Sequence, residues 1–265
     1  SNCFHNVWGR NYEIIASGRV LVEGNILTEA LDSAGSADSR AKHLMVDSII
    51  RFNRVFGNNH TPVNSNSFVP QAADGGTGRV REPARMMHSR AYHNVFADNL
   101  GFGWEMNGIN VSDFILSNNI FFECDRHGAG IQVLMTDEVG RDTRLLHNLF
   151  RGEAANATTV RIGDSLLTAE EANRQSAVLQ DFWSRCAGNI DDDPRFADAA
   201  NRDFRIDGKS ACVDAGLPLT TAFGAGKGRR LTVVDALPFY DGFGIEGEQG
   251  DWIAVGAGDN LARVE

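Results

Sequence analysis

The chain has 265 residues, with 35 Asp+Glu against 25 Lys+Arg and a formal net charge of -10 at pH 7. That length holds one large domain or slightly more, and 42% hydrophobic with 23% charged residues excludes a disordered chain. The acidic surplus disfavours nucleic acid as a partner, and no run of about 18 apolar residues offers a membrane span.

Gly is frequent at 28, Pro is scarce at 6 and Asn recurs throughout. Gly and Asn punctuate turns, and many turns with few long helical patterns point to an all-β chain. The chain opens Ser1-Asn2-Cys3-Phe4-His5-Asn6, without an initiator Met and with no signal peptide visible in it. An excised fragment is expected.

From there an Asn followed by an apolar pair recurs. The copies are Asn6-Val7-Trp8, Asn25-Ile26-Leu27, Asn94-Val95-Phe96, Asn119-Ile120-Phe121, Asn148-Leu149-Phe150 and Asn189-Ile190, with Asn53-Arg54-Val55-Phe56 a looser one. Each follows a short β-rich stretch, such as Ile49-Ile50-Arg51-Phe52 or Phe114-Ile115-Leu116-Ser117. A constant motif at a varying period is how a solenoid with loop insertions behaves. An Asn at each bend can accept αL backbone and bond its own or the next coil, so the copies should form a ladder.

After the Asn turn comes a second strand, read by alternation. It appears as Pro62-Val63-Asn64-Ser65-Asn66, Trp104-Glu105-Met106-Asn107, Gly130-Ile131-Gln132-Val133-Leu134 and Val160-Arg161-Ile162. A third precedes the Asn strand, as His43-Leu44-Met45-Val46, Arg85-Met86-Met87-His88 and Ile109-Asn110-Val111. Three short strands per coil predict a parallel β-helix over residues 1–216. Thr168-Ala169-Glu170-Glu171 fits a capping box and predicts one helix over about 168–183, across the side or end of the stack.

These coils resemble right-handed parallel β-helix proteins of the pectate-lyase-like superfamily. The most specific part is Gly188-Asn189-Ile190-Asp191-Asp192-Asp193-Pro194-Arg195-Phe196, followed by Ser210-Ala211-Cys212-Val213-Asp214-Ala215-Gly216. It resembles the closing coil of many secreted bacterial β-helix proteins, with Ala211 where a Pro is common. The resemblance implies a polysaccharide or oligosaccharide partner and a secreted, periplasmic or cell-surface location. It implies the fold more strongly than any activity, because the superfamily holds lyases, hydrolases, epimerases and inert spacers. After Pro218, the stretches from Arg230 to Gly256 resemble the opening strands of a small accessory β-domain, placed at 217–265. The alternative is an extension packed on the coils.

Alternation puts Val63, Trp104, Met106, Ile131, Val133, Val160 and Ile162 inward, so Asn64, Glu105, Gln132 and Arg161 should point outward on successive coils, flanked by Asn66 and Asn107. A ladder of amides, a carboxylate and an Arg suits a hydroxyl-rich polymer, although a solvated sheet face is polar too. The long segment between Ser67 and Ser89 carries Arg79, Arg81 and Arg85, which could hold an acidic sugar, with Arg85 or His88 near the reacting carbon. Arg126 and His127 form a second cluster. Asp191, Asp192 and Asp193 could hold Ca²⁺, but they also match a turn, and no metal site or cofactor is assigned.

Cys3, Cys124, Cys186 and Cys212 are scattered, without zinc spacing. Free buried thiols are expected ahead of a Cys186–Cys212 bridge. The leading expectation is a polysaccharide lyase-like enzyme in which Arg85, His88, Glu105 and Arg161 do the chemistry. A glycoside hydrolase pairing Glu105 with Asp125 or Asp137, or a non-catalytic glycan-binding module, are the alternatives.

Overall fold

The computed structural model describes residues 2–7, 12–14, 18–30, 35–38, 44–58, 63–66, 85–107, 111–136, 139, 142–153, 157–178, 186–224, 228–256 and 260–265; side chains are not described in 12–14, 35–38, 44–45, 63–66, 85–86, 107 and 175–178. Within these residues, parallel strands stack into a β-solenoid of three sheets. The first sheet holds six strands, including Ile26–Thr28, Arg54–Phe56, Val95–Ala97, Ile120–Phe122 and Leu149–Arg151. The second includes Val63–Asn66, Trp104–Asn107, Val133–Met135 and Val160–Ile162. The third includes Leu21–Glu23, Ile49–Arg51, Arg85–Tyr92, Val111–Ser117, Arg144–Leu146 and Cys186–Ala187.

The three strands of a coil are divided differently from the sequence reading. The apolar pair after each Asn is itself a strand, forming the first sheet. The expected third strand runs on into the pre-Asn strand, as in Arg85–Tyr92 and Val111–Ser117. Those two bend at His88 (φ 53°) and Asp113 (φ 44°) without ending.

The Asn ladder sits between the third and first sheets. The Oδ1 of Asn94 accepts from both the backbone and side-chain nitrogens of Asn53, Asn119 does the same for Asn94, and Asn148 for Asn119, all at 2.9–3.0 Å. Each Nδ2 also donates to a carbonyl, as Asn119 does to Ala91 at 3.0 Å. Asn2, not Asn6, is the member in the first coil, donating from its backbone to Asn25 Oδ1 at 3.1 Å. Asn6 instead falls in register with Glu29, and both are in αL at the turn toward the second sheet.

A second ladder at that turn went unread in the sequence. Asn58 Oδ1 accepts from Ala30, Asn99 Oδ1 accepts from Asn58, Asn99 Nδ2 reaches Cys124 Sγ, and Cys124 donates to Gln132 Oε1. The core between the sheets is made of stacked columns. Leu27, Val55, Phe96, Phe121 and Phe150 form one, with the Phe96 and Phe121 rings parallel 4.8 Å apart. Trp104, Val133 and Val160 form another, all fully buried. Full burial of each large side chain contributes about 1.5–3 kcal/mol.

The helix Ala169–Val178 begins with the predicted capping box, in which Thr168 N donates to Glu171 Oε2 at 2.9 Å and Glu171 N to Thr168 Oγ1 at 3.1 Å. Ala169 and Ala172 bury into the core. The helix closes the end of the stack. All four cysteines are free thiols, and burial pushes those of Cys124 and Cys186 up to about 12.

Residues after the last coil lie back over two of the sheets. Phe196 and Phe204 cover Phe56, Ala97 and Phe122 on the outside of the first sheet. The described residues between Ala215 and Asp251 run along the third. There Asn118 exchanges two bonds with Leu217, Tyr92 Oη donates to the Pro238 carbonyl at 2.6 Å, and Arg90 Nε pairs with Asp235 at 2.7 Å. A small antiparallel pair, Trp252–Ala254 with Leu261–Arg263, follows. Among the described residues no helix is long and apolar enough to cross a membrane.

Candidate functional site

The C-terminal layers occupy the first and third sheets, so the second sheet and the corner joining it to the third are the faces to search. At that corner the register places Asp47, His88 and Asp113 on three successive coils. All three are in αL, with φ of 54°, 53° and 44°. Non-Gly residues in αL are uncommon, and Asp is one of the tolerated types.

His88 Nδ1 lies 2.6 Å from Asp113 Oδ2. A carboxylate only accepts, so Nδ1 donates and Nε2 is left as the basic nitrogen. The His88 side chain is 46% exposed, against 28% for Asp113. Asp113 is held from its other side by Arg90, whose Nη2 meets Oδ1 at 3.1 Å and whose Nη1 donates to the Asp113 carbonyl at 2.7 Å. Arg90 is itself buried and fixed by Asp235. An exposed imidazole is thus oriented by a carboxylate that a buried Arg positions, the arrangement a general base needs. His88 was a sequence candidate; Asp113 was not. No local pattern marks Asp113, because its partner comes from the previous coil across 25 residues.

On the second sheet the register aligns Asn64, Glu105, Leu134 and Arg161, and sets Asn66 beside Asn107. Glu105 and Leu134 are half-buried. Arg161 is exposed and its Nε donates to the Gly163 carbonyl at 3.0 Å. Leu134 takes the place expected for Gln132. Gln132 is fully buried, and its Nε2 donates to the Cys124 and Gly130 carbonyls at 3.1 and 2.9 Å. It stands before the strand Val133–Met135, in a bend where strict alternation does not hold. Its role is to close the second ladder, not to meet a ligand.

Arg126 and His127 are exposed in the turn between the first and second sheets, with Arg126 paired to Asp98. That turn folds over Asp125, which is buried and accepts from Ile131 N at 3.0 Å. Asp125 is therefore withdrawn from any pairing with Glu105. Arg79, Arg81 and Asp137 lie outside the described residues, as do the side chains of Asn64, Asn66, Arg85 and Asn107. Arg85 opens the strand that carries His88.

The chain leaves the second sheet at Asn107 and reaches Asp113 six residues later. Even fully extended, that path spans at most about 21 Å. The amide column and the His88 corner are within reach of one oligosaccharide. The Asp191–Asp193 carboxylates serve the local turn. Asp192 accepts from Asp193 N, Asp193 from Arg195 N, and Asp191 meets Arg151 at 3.4 Å. Among the described residues no three His, Cys, Asp or Glu side chains gather to hold a metal.

No family model matches the chain, and neither does a curated protein or a solved structure.

Proposed function

We propose that this β-solenoid belongs to the pectate-lyase-like superfamily and cleaves an acidic polysaccharide by β-elimination outside the cytoplasm, with His88 as the base. The observation that carries the reading is the His88–Asp113 pair, with its second ring nitrogen left for a substrate. In the reaction Nε2 takes the proton on the carbon next to the uronate carboxylate. The electron pair forms a double bond to the neighbouring carbon, the glycosidic C–O bond there breaks, and the leaving oxygen takes a proton from water. Arg85 and the upstream Arg79 and Arg81 are the cations assigned to the uronate carboxylate. The Glu105–Arg161 column is assigned to flanking sugar units.

The hydrolase reading loses support, since one carboxylate proposed for the pair is buried in a turn. The test is ultraviolet absorbance of unsaturated product from alginate, pectate and chondroitin sulfate. His88→Ala should lower kcat by at least about 100-fold. Asp113→Asn should lower it less, through an imidazole no longer held in one orientation. Absence of absorbance on all three polymers overturns the reading.

A further inference from the structure

Between the C-terminal segment and the third sheet lies a cleft of about 500 Å³, unread in the sequence. That falls within the usual ligand range of about 300–1,000 Å³. Arg51 and Tyr92 form its inner side. Arg51 is 6% exposed and is held by Asp251 at 2.5 and 2.6 Å, by Glu23 at 2.6 Å and by Tyr92 Oη at 2.9 Å. Phe52 and His93 line the cleft as stacked rings 5.5 Å apart and 25° from parallel, and Trp252 contributes a further aromatic.

Two features distinguish this cleft from a packing gap. Phe52 is 51% exposed and Trp252 66% exposed, although each could bury a large apolar area. Phe52 also sits at φ 57°. The equivalent corner position on other coils is Gly24, His93, Asn118, His147 or Gly188, all in αL and all of residue types enriched there. A bulky aromatic there is strained, and strain of that kind persists at functional sites.

The charges select the ligand. Arg51 supplies one positive charge against two carboxylates, Glu23 and Asp251, so the inner side carries a formal surplus of one negative charge. Burial and the neighbouring Arg51 hold the His93 pKa below its usual value, so His93 adds no positive charge near neutral pH. An anionic sugar is repelled at this inner side, while at the outer ring the Arg263 guanidinium already stands over Trp252, 5.5 Å from the ring centroid. Both Glu23 contacts to Arg51 use Oε2, and the Glu23 side chain is 41% exposed, so acceptor capacity remains.

We infer that this cleft binds a neutral pyranose unit, stacked on the Phe52–His93 and Trp252 rings with hydroxyls donating to Glu23. The site is separate from the His88 corner and does not depend on the elimination reading. The probes are cellohexaose, xylohexaose, mannohexaose and maltohexaose, with tetragalacturonate and tetramannuronate as charged controls. Calorimetry and Trp252 fluorescence should give a Kd of about 1 mM or tighter for at least one neutral probe. Trp252→Ala and Phe52→Gly should each weaken it by about tenfold or more. Phe52→Gly also relieves the αL strain, so its thermal midpoint should hold or rise while binding falls. His88→Ala should leave this binding unchanged. The inference is overturned if no neutral probe binds, if the uronates bind more tightly here, or if binding survives both cleft substitutions.

Discussion

At the scale of the residue, one ladder Asn side chain satisfies two backbone groups of the preceding coil and links to the next Asn. Asn119 accepts from two nitrogens of Asn94 and donates to the Ala91 carbonyl and to Asn148. Truncation to Ala would orphan the buried Asn94 N–H and the Ala91 carbonyl, each worth about 1–3 kcal/mol. Asn119→Ala should therefore lose about 2–4 kcal/mol in chemical denaturation. Asn25→Ala should cost less than half of that, since its bonds with Asn2 are at the exposed end of the ladder. Equal costs at the two positions would mean that the ladder is not the stabilising unit. This dependence is why the coil was legible: a side chain that must recur at one bend leaves a trace in the sequence. Gln132 left a misleading trace. Its neighbours alternate, but it lies outside the strand they form.

At the scale of the element, the helix completes the ladder from outside the coil. Asn189 has no following coil to supply an Asn, and Asn173 supplies one instead. Its Oδ1 accepts from Asn189 N at 3.3 Å and Nδ2 at 2.9 Å, and its own Nδ2 donates to the Asn189 carbonyl at 2.8 Å. The capping box places Asn173 one turn in, beside the buried Ala172. The start of the helix was readable because its cap is local. Its function as a stopper was not, because Asn173 looks like any other helical Asn. Asn173→Leu should lower stability by about 1–3 kcal/mol, measured by urea unfolding, through the unpaired Asn189 N–H. Thr168→Ala should cost about 1 kcal/mol through the lost cap. If Asn173→Leu is neutral while Thr168→Ala is not, the helix covers the core without terminating the ladder. The first-sheet strands were legible only as apolar pairs, since three residues are too short to show alternation.

At the scale of the whole molecule, the C-terminal segment is tied to coils far from it in sequence. Arg51 meets Asp251 across 200 residues, Tyr92 meets Pro238 across 146, and Arg19 meets Asp241 across 222. No periodicity announces such pairs, so sequence reading could offer only two alternatives for residues 217–265. Burial alone would lower the Arg51 pKa, but its bonds to Asp251, Tyr92 and Glu23 outweigh that and raise it above the ordinary guanidinium value. Arg51 is thus a permanent cation at neutral pH, and removing it leaves the largely buried Asp251 carboxylate without its charge partner. Arg51→Met should cost about 3–5 kcal/mol, the penalty for breaking a buried pair from one side. The double variant Arg51→Met/Asp251→Asn should recover part of that, with a coupling of about 0.5–3 kcal/mol. The wild type should unfold in one transition, with near-surface cleavage between residues 217 and 256 slow until the coils melt. In Arg51→Met that stretch should become the first site of proteolysis. Two separate calorimetric transitions in the wild type would make the segment an independent unit, and the same result would remove the third sheet's cover as a source of coil stability.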